Sequence, residues 1–231
     1  MTNFSKRYRV GEDRPLDPAT LHILSIVSRV AAEHDVSYLL VGATARDLLL
    51  FHVFGIHTGR ATADVDIAFA VNTWDAFHEL RTALLESGDF TAGNIPHRIY
   101  LVPQLSAGQK IPLDLIPFGG VAEADMIHWP PDRDTAMTVA GFEDAFRAAV
   151  HVELRSGVDA TVASLAGLAV LKLFAWQERR HSDKDAVDLY RLMSTYADAG
   201  NLDRLYDEDL ELLEQTGYDL ELAGAALLGT D

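Results

Sequence analysis

Two aspartates separated by one residue, Asp64 and Asp66, are the first side chains in this sequence whose types and spacing could do chemistry. The apolar segment that follows them, Ile67 to Val71, predicts that they begin a β-strand. Residues i and i+2 of a strand point to the same face, roughly 6–7 Å apart, so their carboxylates can share hard cations such as Mg²⁺. We interpret the pair as a metal site at the mouth of a strand, with a solvated strand end as the alternative.

The spacing alone does not identify the site, because the chain contains the Asp-x-Asp pattern four times. The other pairs lie in a proline-flanked loop, at a predicted helix start and in the acidic C-terminal segment: Asp132 and Asp134, Asp183 and Asp185, and Asp207 and Asp209. Their surroundings predict solvated surfaces. Asp183 and Asp185 also suit the positive, N-terminal end of a helix dipole.

A third carboxylate, Asp114, is the only charged residue in the apolar segment from Ile111 to Phe118. A buried carboxylate is costly unless it is paired or bound to a metal. Two interpretations therefore stay open. Asp114 completes a metal site with Asp64 and Asp66, or it forms a salt bridge with an arginine such as Arg98.

A glycine at the end of an apolar strand gives a second candidate site, for phosphate. Gly42 closes a predicted strand and opens a predicted helix, so the backbone amides of Ala43 and Thr44 and the Thr44 hydroxyl could approach a phosphate group. We include Arg46, in the same motif, among the candidate nucleotide-binding residues. Glycines are common in strand-to-helix turns, so the pattern gains weight only beside the aspartates.

Basic residues on a later predicted helix could neutralise phosphate. Lys172, Trp176 and Arg179 are spaced i, i+4 and i+7 and share one helix face. They could clamp a triphosphate, with Lys184 nearby, or they could form a solvated edge along which Lys172 extends its stem. Asp185 and Asp188 follow closely and could brace these cations by ion pairs.

The elements that must position these residues follow from hydrophobic periodicity and turn residues. We predict an α+β fold, with a mixed sheet flanked by helices in residues 1–155 and a helical C-terminal region in residues 156–231. The segment 138–154 is ambiguous between strand and short helix. Predicted helices cover residues 17–34, 43–53, 72–86, 162–180 and 184–199 and the acidic tail, and predicted strands cover residues 36–41, 64–71, 98–102 and 111–116.

Composition restricts the class of protein. The chain of 231 residues has no cysteine, which excludes disulfides, thiolate metal sites and thiol nucleophiles. No apolar run reaches the roughly 18 residues that cross a bilayer, and the polar segment 1–14 lacks the apolar stretch of a signal peptide, so we expect a cytoplasmic protein without membrane contact. The net charge of −16 argues against non-specific nucleic-acid binding. Nine acidic residues against one basic residue follow Asn201.

The ordered set of motifs resembles the nucleotidyltransferase superfamily typified by DNA polymerase beta. The matching segments are Gly42 to Asp47, Arg60 to Ile67, and Asp114 in a later strand. The continuation, Leu171 to Arg179 and then Lys184 to Leu189, is similar to the AbiEii-like branch, which includes bacterial type IV toxins.

The resemblance implies two Mg²⁺ ions bound by Asp64, Asp66 and Asp114, and a triphosphate held at Gly42, Ala43 and Thr44. Two features depart from the family pattern. Ala43 stands where serine or glycine is usual, so a hydroxyl contact is missing unless Thr44 supplies it. The separation from Gly42 to Asp64 is also longer than in the compact motif.

The resemblance therefore implies a metal-dependent enzyme that moves a nucleoside monophosphate from a nucleoside triphosphate (NTP) to a hydroxyl group of RNA, protein or a small molecule. A type IV toxin-like role with a neighbouring antitoxin partner is a further implication. The alternative is a catalytically inactive nucleotide- or partner-binding module on the same fold. The acidic tail is either an interaction segment for a basic partner or an ordinary solvated helix.

Overall fold

The computed structural model describes residues 6–59, 64–106, 108–155, 157–179 and 183–231. Two sequence predictions fall partly outside these residues. They are the motif segment Arg60 to Ile67, at its first four residues, and the helix predicted over residues 162–180, at Arg180.

Within the described residues, eight strands form a mixed sheet in the order β1-β9-β10-β2-β3-β6-β5-β4, and β7 pairs with β8 in a separate hairpin. The strands are β1 (Arg7–Arg9), β2 (Ser37–Val41), β3 (Val65–Ala70), β4 (Phe90–Ala92), β5 (Arg98–Leu101), β6 (Pro112–Phe118), β7 (Met126–His128), β8 (Ala136–Thr138), β9 (Val150–Arg155) and β10 (Val158–Val162). In the centre, β3 runs antiparallel to β2 and parallel to β6, and β6 runs antiparallel to β5.

Helices pack on the sheet and continue beyond it. They are α1 (Pro18–Glu33), α2 (Gly42–Asp47), α3 (Trp74–Glu86), α4 (Phe142–Arg147), α5 (Leu165–Glu178), α6 (Lys184–Thr195), α7 (Leu202–Asp207), α8 (Leu210–Gln215) and α9 (Leu220–Leu228). A π-helical segment, Leu48–Val53, continues directly from α2, and a short 3₁₀ turn spans Pro103–Leu105.

Polar caps explain where several helices begin. The Asp17 carboxylate accepts the backbone N–H groups of Ala19 and Thr20 at the start of α1. Thr73 caps α3 in the same way through Ala76, and Ser164 caps α5 through Gly167. Each cap satisfies a donor that the first helical turn leaves without an intrahelical partner.

The buried apolar residues of the described chain form one continuous core that extends from the sheet into the C-terminal helices. In β3, Val65, Ile67 and Phe69 are at most 1% exposed, while Asp66 is partly buried. The parallel neighbour β6 is also apolar apart from Asp114. The central strands are therefore apolar except where they carry the candidate site.

The α+β fold class and the helical C-terminal region are confirmed, with changes at specific elements. The helix predicted from Val162 begins at Leu165, because Val162 ends a strand and Ser164 is the cap. The ambiguous segment 138–154 contains the end of β8, all of α4 and most of β9. The division at residue 155 stays a prediction as a domain boundary, but β10 pairs with β9 and β2, so strand structure continues past it.

The acidic tail is helical, as predicted, and each of its helices buries at least one leucine. Leu205, Leu213 and Leu227 are fully buried. In the part of the chain that the structure describes, no helix is both long and apolar enough to cross a bilayer.

Candidate active site

Three charged side chains lie in one row across β3, β6 and β5. Asp66 is the register partner of Asp114 on the parallel strand β6, and Asp114 is the register partner of Arg98 on the antiparallel strand β5. Register partners on adjacent strands present their side chains on the same face of a sheet. The predicted grouping of Asp66 with Asp114 is therefore present at the level of the backbone.

Asp114 is held by a two-pronged ion pair. Arg98 donates from Nε to Asp114 Oδ1 at 2.6 Å and from Nη2 to Oδ2 at 2.5 Å. The Asp114 side chain is 15% exposed and that of Arg98 is 28% exposed. A paired guanidinium offsets much of the cost of burying this carboxylate, so the salt-bridge interpretation of Asp114 is present in the structure.

The surroundings of Asp66 oppose the ionisation of its carboxyl group. Burial, and then the negative charges of Asp114 and Asp64, raise the pKa of Asp66 from 3.8 to about 6. The cations of Lys172 and Arg98 act in the opposite direction and lower this pKa. A carboxylate that is costly to ionise beside two others is a place where a bound cation would be strongly stabilised.

Gly42 packs directly against Asp66. The backbone of Gly42 has a φ of 70°, the left-handed region that glycine enters without strain, and it turns the chain from β2 into α2. A Cβ at this position would lie 2.1 Å from Asp66 Oδ2. The glycine is therefore required both by the turn and by the close approach of the carboxylate.

The predicted phosphate contact of the Thr44 hydroxyl meets a competing bond. This hydroxyl donates to the backbone carbonyl of Asp64 at 2.6 Å and is buried. A hydroxyl has one proton to donate, so it cannot donate to a phosphate while this bond persists. Thr44 instead fixes the start of the strand that carries Asp66, and the contact of a phosphate with the backbone N–H groups of the turn stays a prediction.

Arg46, also predicted to contact nucleotide, is turned into the protein. Its side chain is 6% exposed and forms ion pairs with Asp47 and with Asp188 of α6. A buried guanidinium held by two carboxylates anchors α2 and does not reach outward to a ligand. The nucleotide contact of Arg46 stays a prediction, and these two ion pairs compete with it.

Lys172 lies at the centre of a charged cluster between α2, α5 and α6. Lys172 Nζ is 3.1 Å from Asp185 Oδ1 and 2.7 Å from Asp188 Oδ2. Arg179 Nη2 is 3.0 Å from Asp185 Oδ2. The prediction that Asp185 and Asp188 brace these cations is present in the geometry. The ion pairs also reduce the positive charge that Lys172 and Arg179 could offer to a phosphate.

The two remaining basic candidates, Arg179 and Lys184, are exposed, unlike Arg46. The Arg179 side chain is 57% exposed at the end of α5, and Lys184 is exposed at the first residue of α6. The link between Arg46 and Asp188 was missed at the sequence level. The i, i+3 spacing of Asp185 and Asp188 indicates a shared helix face, but no local pattern relates that face to α2.

The chemistry and placement of the carboxylates determine whether they suit a cation. Within the described residues, no three His, Asp or Glu side chains are grouped as ligands of a single ion. The oxygens of Asp66 and Asp114 are nevertheless the ligand type that Mg²⁺ prefers, and their mutual repulsion in the row is what a divalent cation would remove. The pair therefore supplies the ligand type for a divalent cation, and binding of a cation at Asp64, Asp66 and Asp114 stays a prediction.

Comparison with known proteins gives the fold. No family model matches the chain, and no curated protein matches it by sequence. An antigenic nucleotidyltransferase-like protein from Paracoccidioides brasiliensis is 15% identical, with a TM-score of 0.54 over 93% of this chain and 94% of that one. The antibiotic-resistance factor ANT(2'')-Ia is 13% identical, with a TM-score of 0.46 over 88% of this chain and 99% of that one. The AbiEii-like branch is not represented among these similarities.

The first of these superpositions is close enough to assign architecture. It aligns almost the whole of both chains, including the mixed sheet and the C-terminal helices. At this level of identity the likeness concerns the fold and leaves the reaction open. The chain has a nucleotidyltransferase-like fold, with Asp66 and Asp114 side by side on its central parallel strands.

Proposed function

We propose that this protein is a metal-dependent nucleotidyltransferase that moves a nucleoside monophosphate from an NTP to a hydroxyl acceptor. The observation that carries the proposal is the register pairing of Asp66 with Asp114, because it places two partly buried carboxylates together at the centre of the sheet. The raised pKa of Asp66 supports it, since the site favours a bound cation. The nucleotidyltransferase-like fold supports the reaction class.

When bound at these carboxylates, Mg²⁺ would polarise the phosphate under attack and stabilise the charge that develops in an in-line displacement. Asp64 and Asp66 present the carboxylates at the mouth of β3. Asp114 accepts a hydrogen bond from the acceptor hydroxyl and orients it for attack. The turn at Gly42 brings backbone N–H groups towards the triphosphate.

The basic residues of α5 and α6 complete the proposed site. Lys172 contributes positive charge beside Asp66 while held by Asp185 and Asp188. Arg179 and Lys184 are exposed and can offset the charge of the departing pyrophosphate. Positive charge aimed at the leaving group stabilises the transition state of phosphoryl transfer.

Incubation with each α-³²P-labelled NTP, Mg²⁺ and a panel of RNA, protein and small-molecule hydroxyl acceptors tests the proposal. We expect transfer by the wild type and a loss of at least about 100-fold in Asp66→Asn, because removal of a charge-stabilising group typically costs that much. Asp132→Asn is the matched control, since Asp132 belongs to an exposed Asp-x-Asp pair in the loop between β7 and β8. Equal transfer by the wild type and Asp66→Asn would refute the mechanism.

A non-catalytic nucleotide-binding module is the second candidate, and two observations favour it. The Thr44 hydroxyl is engaged by Asp64, and both oxygens of Asp114 are engaged by Arg98. In this case calorimetry would detect NTP binding by the wild type, and no label would be transferred to any acceptor in the panel.

The toxin-like role implied by the AbiEii-like resemblance is a finer proposal, as is the antitoxin partner. A toxin that acts by nucleotidyl transfer would arrest growth when expressed as the wild type and lose this effect as Asp66→Asn. The acidic tail contributes buried leucines to the fold, so a basic partner would have to recognise its exposed carboxylates.

A further inference from the structure

We propose that α5 and the helices beside it form a docking groove for a basic amphipathic helix of a partner protein. The proposal goes beyond nucleotidyl transfer and uses none of the carboxylates of the candidate active site. It can therefore be tested separately from the proposed function.

Helix α5 exposes large apolar side chains where a surface helix usually carries polar ones. Three of its 14 residues are polar, yet Leu173, Phe174 and Trp176 are 49%, 37% and 41% exposed. A helix that is apolar around most of its circumference is normally buried. The exposed side of α5 therefore has the composition of a contact surface.

A depression of about 560 Å³ lies beside this exposed side. Small and apolar residues of four helices line it, among them Ala145 and Ala148 at the end of α4, Ala169 and Val170 of α5, Met193 of α6 and Leu228 of α9. Leu173 lines both this depression and a second one, of about 620 Å³, that continues to Trp176 and Gln177. We call the two depressions together the α5 groove.

The length of the α5 groove suits a helix. Its α5 residues extend from Ala166 to Gln177, and at 1.5 Å per residue this distance is about 17 Å, or three helical turns. A helix of that length presents apolar side chains at i, i+3 or i+4, and i+7 to a groove. Small residues such as Gly167 and Ala169 leave room for those side chains to enter.

The charges at the groove favour a basic partner. Arg147, which lines the groove, pairs with both Glu143 and Asp144. Asp231, at the opposite side, shares Arg204 with a second carboxylate. Each arginine therefore faces two carboxylates, and both positions keep a net negative charge. A second copy of this chain, with its own net charge of −16, would be repelled, whereas a helix with lysines beside its apolar face would be attracted.

Three synthetic peptides of about 14 residues, all without tryptophan, test the charge and the shape of the partner. The first has leucines at helical i, i+3, i+4 and i+7 spacing and lysines elsewhere. The second replaces every lysine with glutamate, and the third has the composition of the first in an order without helical periodicity. Fluorescence anisotropy should show that the first peptide binds the wild type at least about tenfold more tightly than either of the others.

Two variants with the same change in charge locate the binding site. Leu173→Arg places a cation where the two depressions meet and should weaken binding of the first peptide at least about tenfold, the scale of a central interface residue. Leu210→Arg is the matched control, because Leu210 is 44% exposed on α8 and lines neither depression. It should bind the peptide within about twofold of the wild type. Both leucines are exposed, so both variants should fold.

Tryptophan fluorescence gives an independent location, because Trp176 lines the α5 groove and the peptides carry no tryptophan. The first peptide should change the emission of the wild type. It should leave the emission of Trp176→Phe unchanged, since Trp74 and Trp129 pack against each other beside the sheet.

Several results would overturn the proposal. No binding of the first peptide, or equal binding of the first and third, would leave no groove that recognises a helix. Equal losses in Leu173→Arg and Leu210→Arg would place the binding site elsewhere, and equal binding of the lysine and glutamate peptides would contradict a basic partner. A wild-type dimer in analytical ultracentrifugation that Leu173→Arg separates and Leu210→Arg does not would assign the groove to a second copy of this chain.

Discussion

Asp66 shows how a single residue can be unfavourable for folding and suited to function. Its carboxylate lies against Gly42 and beside Asp114, in a place where burial and like charges oppose ionisation. The ionised form of such a group is unfavourable in the ligand-free protein, and a ligand that neutralises its charge removes this unfavourable free energy. The raised pKa makes this free energy measurable as a function of pH.

The stability of the metal-free protein should depend on pH through Asp66. The pKa of Asp66 is about 6 in the folded protein and 3.8 in the unfolded chain. The folded state therefore binds the proton more tightly. The stability that Asp66 contributes is therefore fully present below about pH 4 and lost as pH rises through 6. In EDTA, the unfolding free energy of Asp66→Asn should rise relative to that of the wild type across this pH window, by up to about 3 kcal/mol.

Urea unfolding of both proteins between pH 4 and pH 7.5 measures this difference. Taking the difference cancels the titration of the carboxylates that do not interact with Asp66, which both proteins share. A difference in unfolding free energy that does not change with pH would show that Asp66 ionises normally in the folded protein.

At the scale of elements, the carboxylate of Asp188 connects three helices. It pairs with Arg46 of α2 and with Lys172 of α5, while its own backbone belongs to α6. Because α2 begins at Gly42 against Asp66, this connection fixes the candidate site relative to the C-terminal helices. The cluster is a positioning device even if none of its cations contacts a ligand.

Asp188→Asn should therefore destabilise the protein, because it leaves the buried guanidinium of Arg46 with Asp47 as its remaining ion-pair partner. We expect a loss of about 1–3 kcal/mol in unfolding free energy, less than for a fully buried pair because asparagine can still accept a hydrogen bond. Asp132→Asn, in an exposed loop, should change stability by less than about 0.5 kcal/mol. Thermal or urea unfolding compares the two variants. Equal effects would show that the ion pairs of Asp188 do not stabilise the folded protein.

Local sequence signals predicted the elements and missed the relations between them. The run after Asp66 predicted β3, and the helix predicted over residues 72–86 corresponds to α3. The strand β10 was missed because its alternation is short and its apolar end, Val162, runs into the apolar residues of α5. Register is a property of two distant segments, so the sequence could name Arg98 as one partner for Asp114 but not choose it over a metal.

At the scale of the whole molecule, the structure joins the two predicted domains by burial as well as charge. One continuous apolar core includes residues of the sheet and of α9, and the helix α6 packs against both α5 and α9. An apolar core shared by the sheet and the C-terminal helices couples their unfolding, because neither can lose its structure without exposing the other's buried surface. We therefore expect the sheet and the C-terminal helices to unfold together.

Leu227→Ala in α9 tests this expectation, because Leu227 is fully buried and its truncation should cost about 2–5 kcal/mol. Of the three tryptophans, Trp74 and Trp129 lie beside the sheet and Trp176 lies on α5. In a Trp176→Phe background, fluorescence therefore reports on the sheet region and far-ultraviolet circular dichroism on the whole chain. A cooperative molecule shifts both transitions equally on Leu227→Ala. If fluorescence keeps its midpoint while dichroism shifts, the helices unfold separately and the two predicted domains are independent.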